Sequence, residues 1–197
     1  MPSGGLQGLI SVAIGLGLAA ACGFRVFTPL LIAGIAAHYG QLPLAGGFDW
    51  LGTTPALIAF GSATILEIGA YYIPWLDHAL DLIATPAAVT AGMIAAASVV
   101  TDLPPLLKWT VTIIGGGGAA GLIQAATVLL RLKSTALTGG LGNPVVATAE
   151  AAGSVIASIV AIVLPLVAVA VLIAGMVLVL RLRSRVPPRR LTPDPPP

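Results

Sequence analysis

Between residues 144 and 180 the chain carries a single charged side chain, Glu150. A helix needs only about 20 apolar residues to cross a bilayer, so this run is too long for one span. Pro165 lies near its middle, and two helices are expected, at about 144–163 and 165–182, as a hairpin or a strongly kinked pair. The rest of the chain has the same texture. Hydrophobic residues make up 57% and charged residues 8% of the 197, with a mean hydropathy of +1.04. Soluble domains carry roughly 25% charged residues, and so few charges cannot solvate the exterior of a globule this large. A water-soluble fold is excluded on that ground.

The remaining choice is between a barrel and a bundle. Aromatics amount to 5%, too few for the girdles of a transmembrane barrel, and the apolar runs do not alternate with polar residues. Abundant Ala and 24 glycines suit helices packed closely through small residues. The expected fold is therefore all-α: a polytopic transmembrane helical bundle of about six membrane segments, some of them broken or re-entrant. Residues 1–182 form one transmembrane domain, and residues 183–197 a basic, proline-rich tail expected to be disordered.

Several residues mark where helices break or pack. Pro29 disfavours helix at Thr28, so the first apolar run is expected to break near residues 25–28, as one kinked span or a span followed by a re-entrant helix. Further spans are expected from Pro55 to about residue 73, from Pro86 to about 101, and from about 106 to 130. WLDHALDLIAT, with Asp77, His78 and Asp81, reads as a short amphipathic helix at the surface, ending where Thr85 caps the span at Pro86. Gly115, Gly116, Gly117 and Gly118 remove every side chain from more than one turn, which requires either tight packing or local unwinding inside the protein. Asn143 and Pro144 read as a helix start, with Asn143 as the cap. An x-Pro start recurs along the chain. Pairing Pro86 with Pro144 aligns Thr90 with Thr148, a weak echo of internal duplication. Small residues four apart, Gly15-Ala19-Gly23 and Gly117-Gly121, form seams for close helix approach, within the bundle or in a homo-oligomer.

Positive charge sets the orientation. Arg181, Arg183, Arg185, Arg189 and Arg190 place the tail in the cytoplasm, with Arg131 and Lys133 on the same side and Lys108 dissenting. The expected location is the bacterial cytoplasmic (inner) membrane, multi-pass, with the lipid bilayer as the surrounding partner.

Three ionisable residues fall at membrane depth: Arg25, Glu67 and Glu150. Each costs about 2.5–3.5 kcal/mol at a helix centre on insertion scales, so such groups face protein or a wet cavity and find partners. Arg25 is expected to pair with one carboxylate, leaving the other protonated or bound to a cation. Gln124, Asn143 and Thr148 extend this cluster as a candidate polar path, with Ser154, Ser158 and Thr127 beside it. One cysteine and two histidines do not make a metal site, and no nucleotide-binding, hydrolase or metalloprotease motif occurs. No cofactor, metal, nucleic-acid partner or enzyme activity is expected. The residues suggest a carrier or channel for a small solute or ion of unknown identity. The alternative is a structural or assembly protein whose intramembrane charges only tie helices together, and an apolar groove between helices would instead favour lipid handling.

The strings CGFRVFTPLL, AYYIPWLDHALDLIATPAA and GGGGAAGLIQAATVLLRLKSTALTGGLGNPVVATAE resemble the bacterial membrane family known as domain of unknown function 4126. The resemblance covers nearly the whole chain outside the tail. It implies a small multi-pass membrane protein and carries no functional residue over to these positions.

Overall fold

A computed structural model describes residues 3–70 and 74–184. Their secondary structure is helical, with no strand among the described residues. The elements in order are α1 (Ser3–Cys22), α2 (Thr28–His38), a 3-10 turn (Asp49–Gly52), α3 (Thr54–Ala70), α4 (Pro74–Val99), α5 (Pro105–Thr110), a π-helical stretch (Val111–Gly116), α6 (Gly117–Thr138), α7 (Asn143–Val163) and α8 (Pro165–Ser184). Three continuous helical segments, Gly5–Cys22, Pro105–Thr138 and Asn143–Val163, are long and apolar enough to cross a membrane, and four shorter apolar helices accompany them. Large apolar side chains such as Leu106, Ile114, Leu137, Val145 and Leu166 are exposed, and only hydrocarbon solvates such a surface without penalty. The chain is a membrane-embedded helical bundle.

α1 is the central helix, in contact with α2, α4, α6, α7 and α8. Its neighbours approach so closely that glycine is the residue that fits. A Cβ on Gly92 of α4 would lie 2.5 Å from Ala120 Cβ and 3.0 Å from Gly116 O, and one on Gly23 would lie 2.5 Å from Ala120 O. Gly15 faces Ala96, while Gly117 and Gly121 face Val89. The sequence-expected seams are thus closed by the chain's own helices, and a second copy is not needed to cover them.

The glycine run resolves into both options the sequence left open. The backbone widens to a π-helix at Val111–Gly116, while Gly116 and Gly117 pack against α4. Gly118 has nothing within 4 Å of its notional Cβ. A π-turn shifts the register of the side chains that follow, a feature frequent at functional sites.

Three expectations are corrected. Pro86 does not begin a helix, because α4 runs unbroken through it from Pro74 to Val99. A proline inside a helix forfeits one hydrogen bond, but the small-residue face of Ala88, Ala91, Ala95 and Ala96 is fully used in packing and holds the helix together. The separate surface helix is therefore absorbed into α4, and Pro86 and Pro144 are not equivalent helix starts. The side chains of Trp75, Asp77, His78 and Asp81 lie outside the described residues, as do Tyr71, Tyr72 and residues 185–197.

The span expected to stop near residue 130 continues to Thr138, where Gly139 turns the chain with φ of 61°. No glycine or proline occurs between Gly121 and Gly139 to stop it, and the left-handed conformation at Gly139 is a helix C-cap. Asn143 is not a cap. Gly142 occupies that position, and the Asn143 side chain exchanges hydrogen bonds with Thr135 across the turn, at 3.1 and 3.3 Å.

The break in the first apolar run proves to be a reversal. α1 ends at Cys22, and α2 starts at Thr28 with Pro29 in its first turn. The chain beyond α2 then returns beside the first half of α1, where Leu42 and Pro43 share a cleft of about 450 Å³ with Ile10, Ser11 and Ile14. α2 is a short helix folded back against α1. α3 reverses again, which carries Glu67 to the level of the break. At the other hairpin α7 ends at Val163, and Pro165 opens α8 as expected.

Replacing Gly92 by valine overpacks this seam and is expected to lower stability by about 1–3 kcal/mol. Gly118→Ala, in open space, is expected to leave it unchanged or raise it by up to about 1 kcal/mol. Thermal unfolding of both variants in detergent separates the two.

Candidate functional site: a buried charge cluster at the helix reversal

Residues 23–27 link α1 to α2: the N–H groups of Gly23, Phe24 and Arg25 still bond the Ala20 and Ala21 carbonyls of the last turn of α1, whereas those of Val26 and Phe27 need partners that lipid cannot provide. Glu67 of α3 supplies two of them. Its Oε1 accepts a hydrogen bond from the Val26 N–H at 2.7 Å and its Oε2 one from the Phe27 N–H at 3.1 Å. The carboxylate acts as a long-range cap on α2, at the end where the helix dipole favours negative charge.

Arg25, in the same loop, reaches α7. It is 1% exposed, and its Nη2 donates to the Ala147 carbonyl at 2.7 Å and lies 3.6 Å from Glu150 Oε2. Glu150, 3% exposed, also accepts a two-pronged contact from Arg131 of α6: Nε to Oε1 at 3.0 Å, and Nη2 to Oε2. A planar guanidinium matches a carboxylate in this forked geometry, which is stronger than a single bond. Glu67 lies within electrostatic reach of both arginines. The cluster thus holds two arginines and two glutamates, drawn from the reversal loop, α3, α6 and α7. Balanced charge is a precondition for keeping such groups out of water.

The expected site residues fall into two groups. Arg25, Glu67 and Glu150 come together, with Arg25 paired to Glu150 and Glu67 bound to backbone. Arg131 is the residue sequence reasoning missed, having been assigned to the cytoplasmic end of a span. It is 5% exposed and completes the cluster. A signal was available: Arg131 stands as many residues before the Gly139 cap as Glu150 stands after Gly142, so a hairpin places them face to face.

The polar path does not form a continuous line. Gln124 is buried, but Thr148 is exposed and its hydroxyl donates to the Pro144 carbonyl of its own helix. Ser154 donates to the Ala21 carbonyl and Ser158 to the Ser154 carbonyl, both fully buried. Thr127 bonds the Gln124 carbonyl. Only Ser154 ties two helices together; the other hydroxyls are satisfied by carbonyls of their own helix. An apolar groove of about 460 Å³ opens next to the reversal instead, between α2, α3 and α4, lined by Val26, Phe27, Leu30, Phe60, Ala91 and Ile94 among others.

A family model described as a domain of unknown function (DUF4126) matches residues 12–185. The chain belongs to that family. The matched region contains the reversal loop and all four residues of the cluster, so the site is inside the family domain. No curated protein and no solved structure matches the chain.

Glu150→Gln leaves two buried guanidinium groups without their counter-charge and is expected to lower stability by about 3–5 kcal/mol. Thr148→Val, two residues away but exposed, is expected to change it by no more than about 0.5 kcal/mol. Chemical or thermal unfolding in detergent micelles measures both.

Proposed function

We propose that this chain is a multi-pass protein of the bacterial cytoplasmic membrane, with its tail in the cytoplasm, that moves a small solute or ion. In this proposal the solute passes at the Arg25–Glu150–Arg131 cluster, whose ion pairs change partners as it does. One observation carries it: the reversal at residues 23–27 is capped by Glu67 of α3 and sends the buried Arg25 to Glu150 of α7, which Arg131 of α6 also engages. Broken helices whose ends point at charged groups are how secondary transporters build solute sites.

Energetics supports a role beyond structure. Buried ion pairs are weak sources of stability, and well-packed apolar replacements are often as stable or more so. A chain this apolar could close the same helix contacts with Leu and Ala. Retaining four charges at that expense favours a site that changes partners during a cycle. The lipid bilayer is its working partner.

A second reading keeps the charges as ties, and it also has an observation behind it. Both carboxylates of the cluster are already engaged, Glu150 by guanidinium groups and Glu67 by backbone N–H groups.

Reconstitution in sealed liposomes distinguishes the two. Dye-reported flux of protons, potassium and chloride is expected to exceed that of empty liposomes for at least one of them. Glu150→Asp, which keeps the charge but shortens the fork, is expected to cut that flux at least about tenfold, the effect of roughly 1.4 kcal/mol on a barrier. Absence of flux for all three probes, from protein that remains folded, discards transport in favour of the tie.

A further inference from the structure

The groove between α2, α3 and α4 is a gap that the helices leave open. α2 forms its floor with Val26, Phe27 and Leu30, and α4 forms one wall from Pro86 to Ile94. The opposite wall is Phe60 of α3 with Trp50 of the 3-10 turn, their ring centroids 6.0 Å apart. α3 packs on α2 and the 3-10 turn, whereas α4 packs mainly on α1, α6 and the π-helical stretch, so the two walls are anchored separately. Small side chains on the α4 wall, Ala87 and Ala91, keep the gap wide.

Its chemistry and size restrict what fills it. The Thr90 hydroxyl, on the α4 wall, already donates to the Pro86 carbonyl at 2.8 Å. An ordered water needs about 2–4 polar partners, which a lining this apolar does not supply. A helix does not fit either. The wall from Pro86 to Ile94 is about 12 Å long at 1.5 Å per residue, and a helix of that length, about 10 Å across, takes roughly twice the 460 Å³ of the groove. An extended acyl chain does fit, with roughly ten methylenes along that wall at C–C bonds of about 1.5 Å. The helices that form the walls also expose Ile58, Ile65 and Ile83, so the groove is continuous with the surface this bundle presents to hydrocarbon. Left empty, it forfeits dispersion contact on every lining atom. Packing decides occupancy here, because lipid offers no hydrophobic driving force.

We propose that the groove between α2, α3 and α4 is a binding site for one acyl chain of a bilayer phospholipid. The chain lies along α4 between Phe60 and Ala87, and its inner part packs on Val26 and Phe27. These are the two residues whose N–H groups Glu67 holds, so the lipid covers the apolar side of a reversal whose polar side is met by the charge cluster. The site requires no transport and is independent of the solute that the cluster serves.

The test uses the full-length protein in maltoside micelles, with Trp75→Phe and Trp109→Phe leaving Trp50 as its one indole. The probe is phosphatidylcholine brominated on one acyl chain, since bromine quenches an indole it touches and a neutral headgroup isolates the effect of the chain. Trp50 fluorescence is expected to fall as lipid is added and to saturate near one lipid per protein chain. Ala87→Leu and Thr90→Leu, at a half-buried and an exposed position of the α4 wall, fill the groove. Each is expected to weaken the apparent lipid affinity at least about tenfold, the effect of roughly 1.4 kcal/mol. Val171→Leu, on the exposed face of α8, is expected to leave it unchanged. Should both groove variants fail to fold, saturation of the parent protein near one lipid per chain decides. Quenching that rises without saturation, or equally in the parent and both groove variants, overturns the site and leaves ordinary boundary lipid. A dimer in micelles that the groove variants dissociate overturns it in favour of a second copy.

Discussion

The structure depends on how a chain can reverse direction inside a membrane-embedded bundle. Non-helical backbone has no water to satisfy it there, so every freed N–H and carbonyl must be met by protein. At residues 23–27 the last turn of α1 meets the first three N–H groups, and charged side chains meet the rest. Glu67 comes from α3 to receive the N–H groups of Val26 and Phe27, while Arg25 reaches across to the Ala147 carbonyl and to Glu150. Arg131 completes the balance from α6. The reversal therefore joins α1 and α2 to α3, α6 and α7 through polar contacts, whereas the other helix contacts in the bundle are made largely by small apolar side chains.

Small residues and charges perform complementary tasks. Gly15, Gly92 and Gly116 allow α1, α4 and the π-helical stretch to approach almost backbone to backbone, which maximises dispersion contact where lipid offers no hydrophobic driving force. Such seams are insensitive to what lies a turn away. The charge cluster is the opposite: removing one member leaves the others exposed to a low dielectric, so its four residues behave as a unit. Any cycle of the protein that opens the reversal must rearrange all four. The apolar groove beside Val26 and Phe27 adjoins this loop, which puts an apolar surface next to the charge cluster.

Much of this was legible residue by residue. Pro29 after Thr28 marked the break, Pro165 marked the final hairpin, and Arg25, Glu67 and Glu150 stood out because apolar neighbours gave them no reason to be charged. Arg131 was concealed by its position beside Lys133, near the end of an expected span, where a positive charge ordinarily reports orientation. Pro86 misled in the other direction. Proline is a strong local signal, but the alanine face of α4 is a tertiary one, and packing prevailed. Thr148 looked polar enough to line a path and instead satisfies itself on the carbonyl of Pro144.

The sequence by itself determined the class of the molecule: its ratio of apolar to charged residues allows a membrane bundle and little else. It also determined where helices must break, because proline and glycine act on the local backbone. Only the tertiary structure decided which charges meet. Glu67 is many residues from Val26 and Glu150 from Arg25, and pairing over such separations depends on helix order, direction and rotation, none of which is written in local propensity. The choice of backbone N–H groups as the partners of Glu67 was likewise out of reach of the sequence, since every residue but proline carries one and only the fold reveals which are left without a helix.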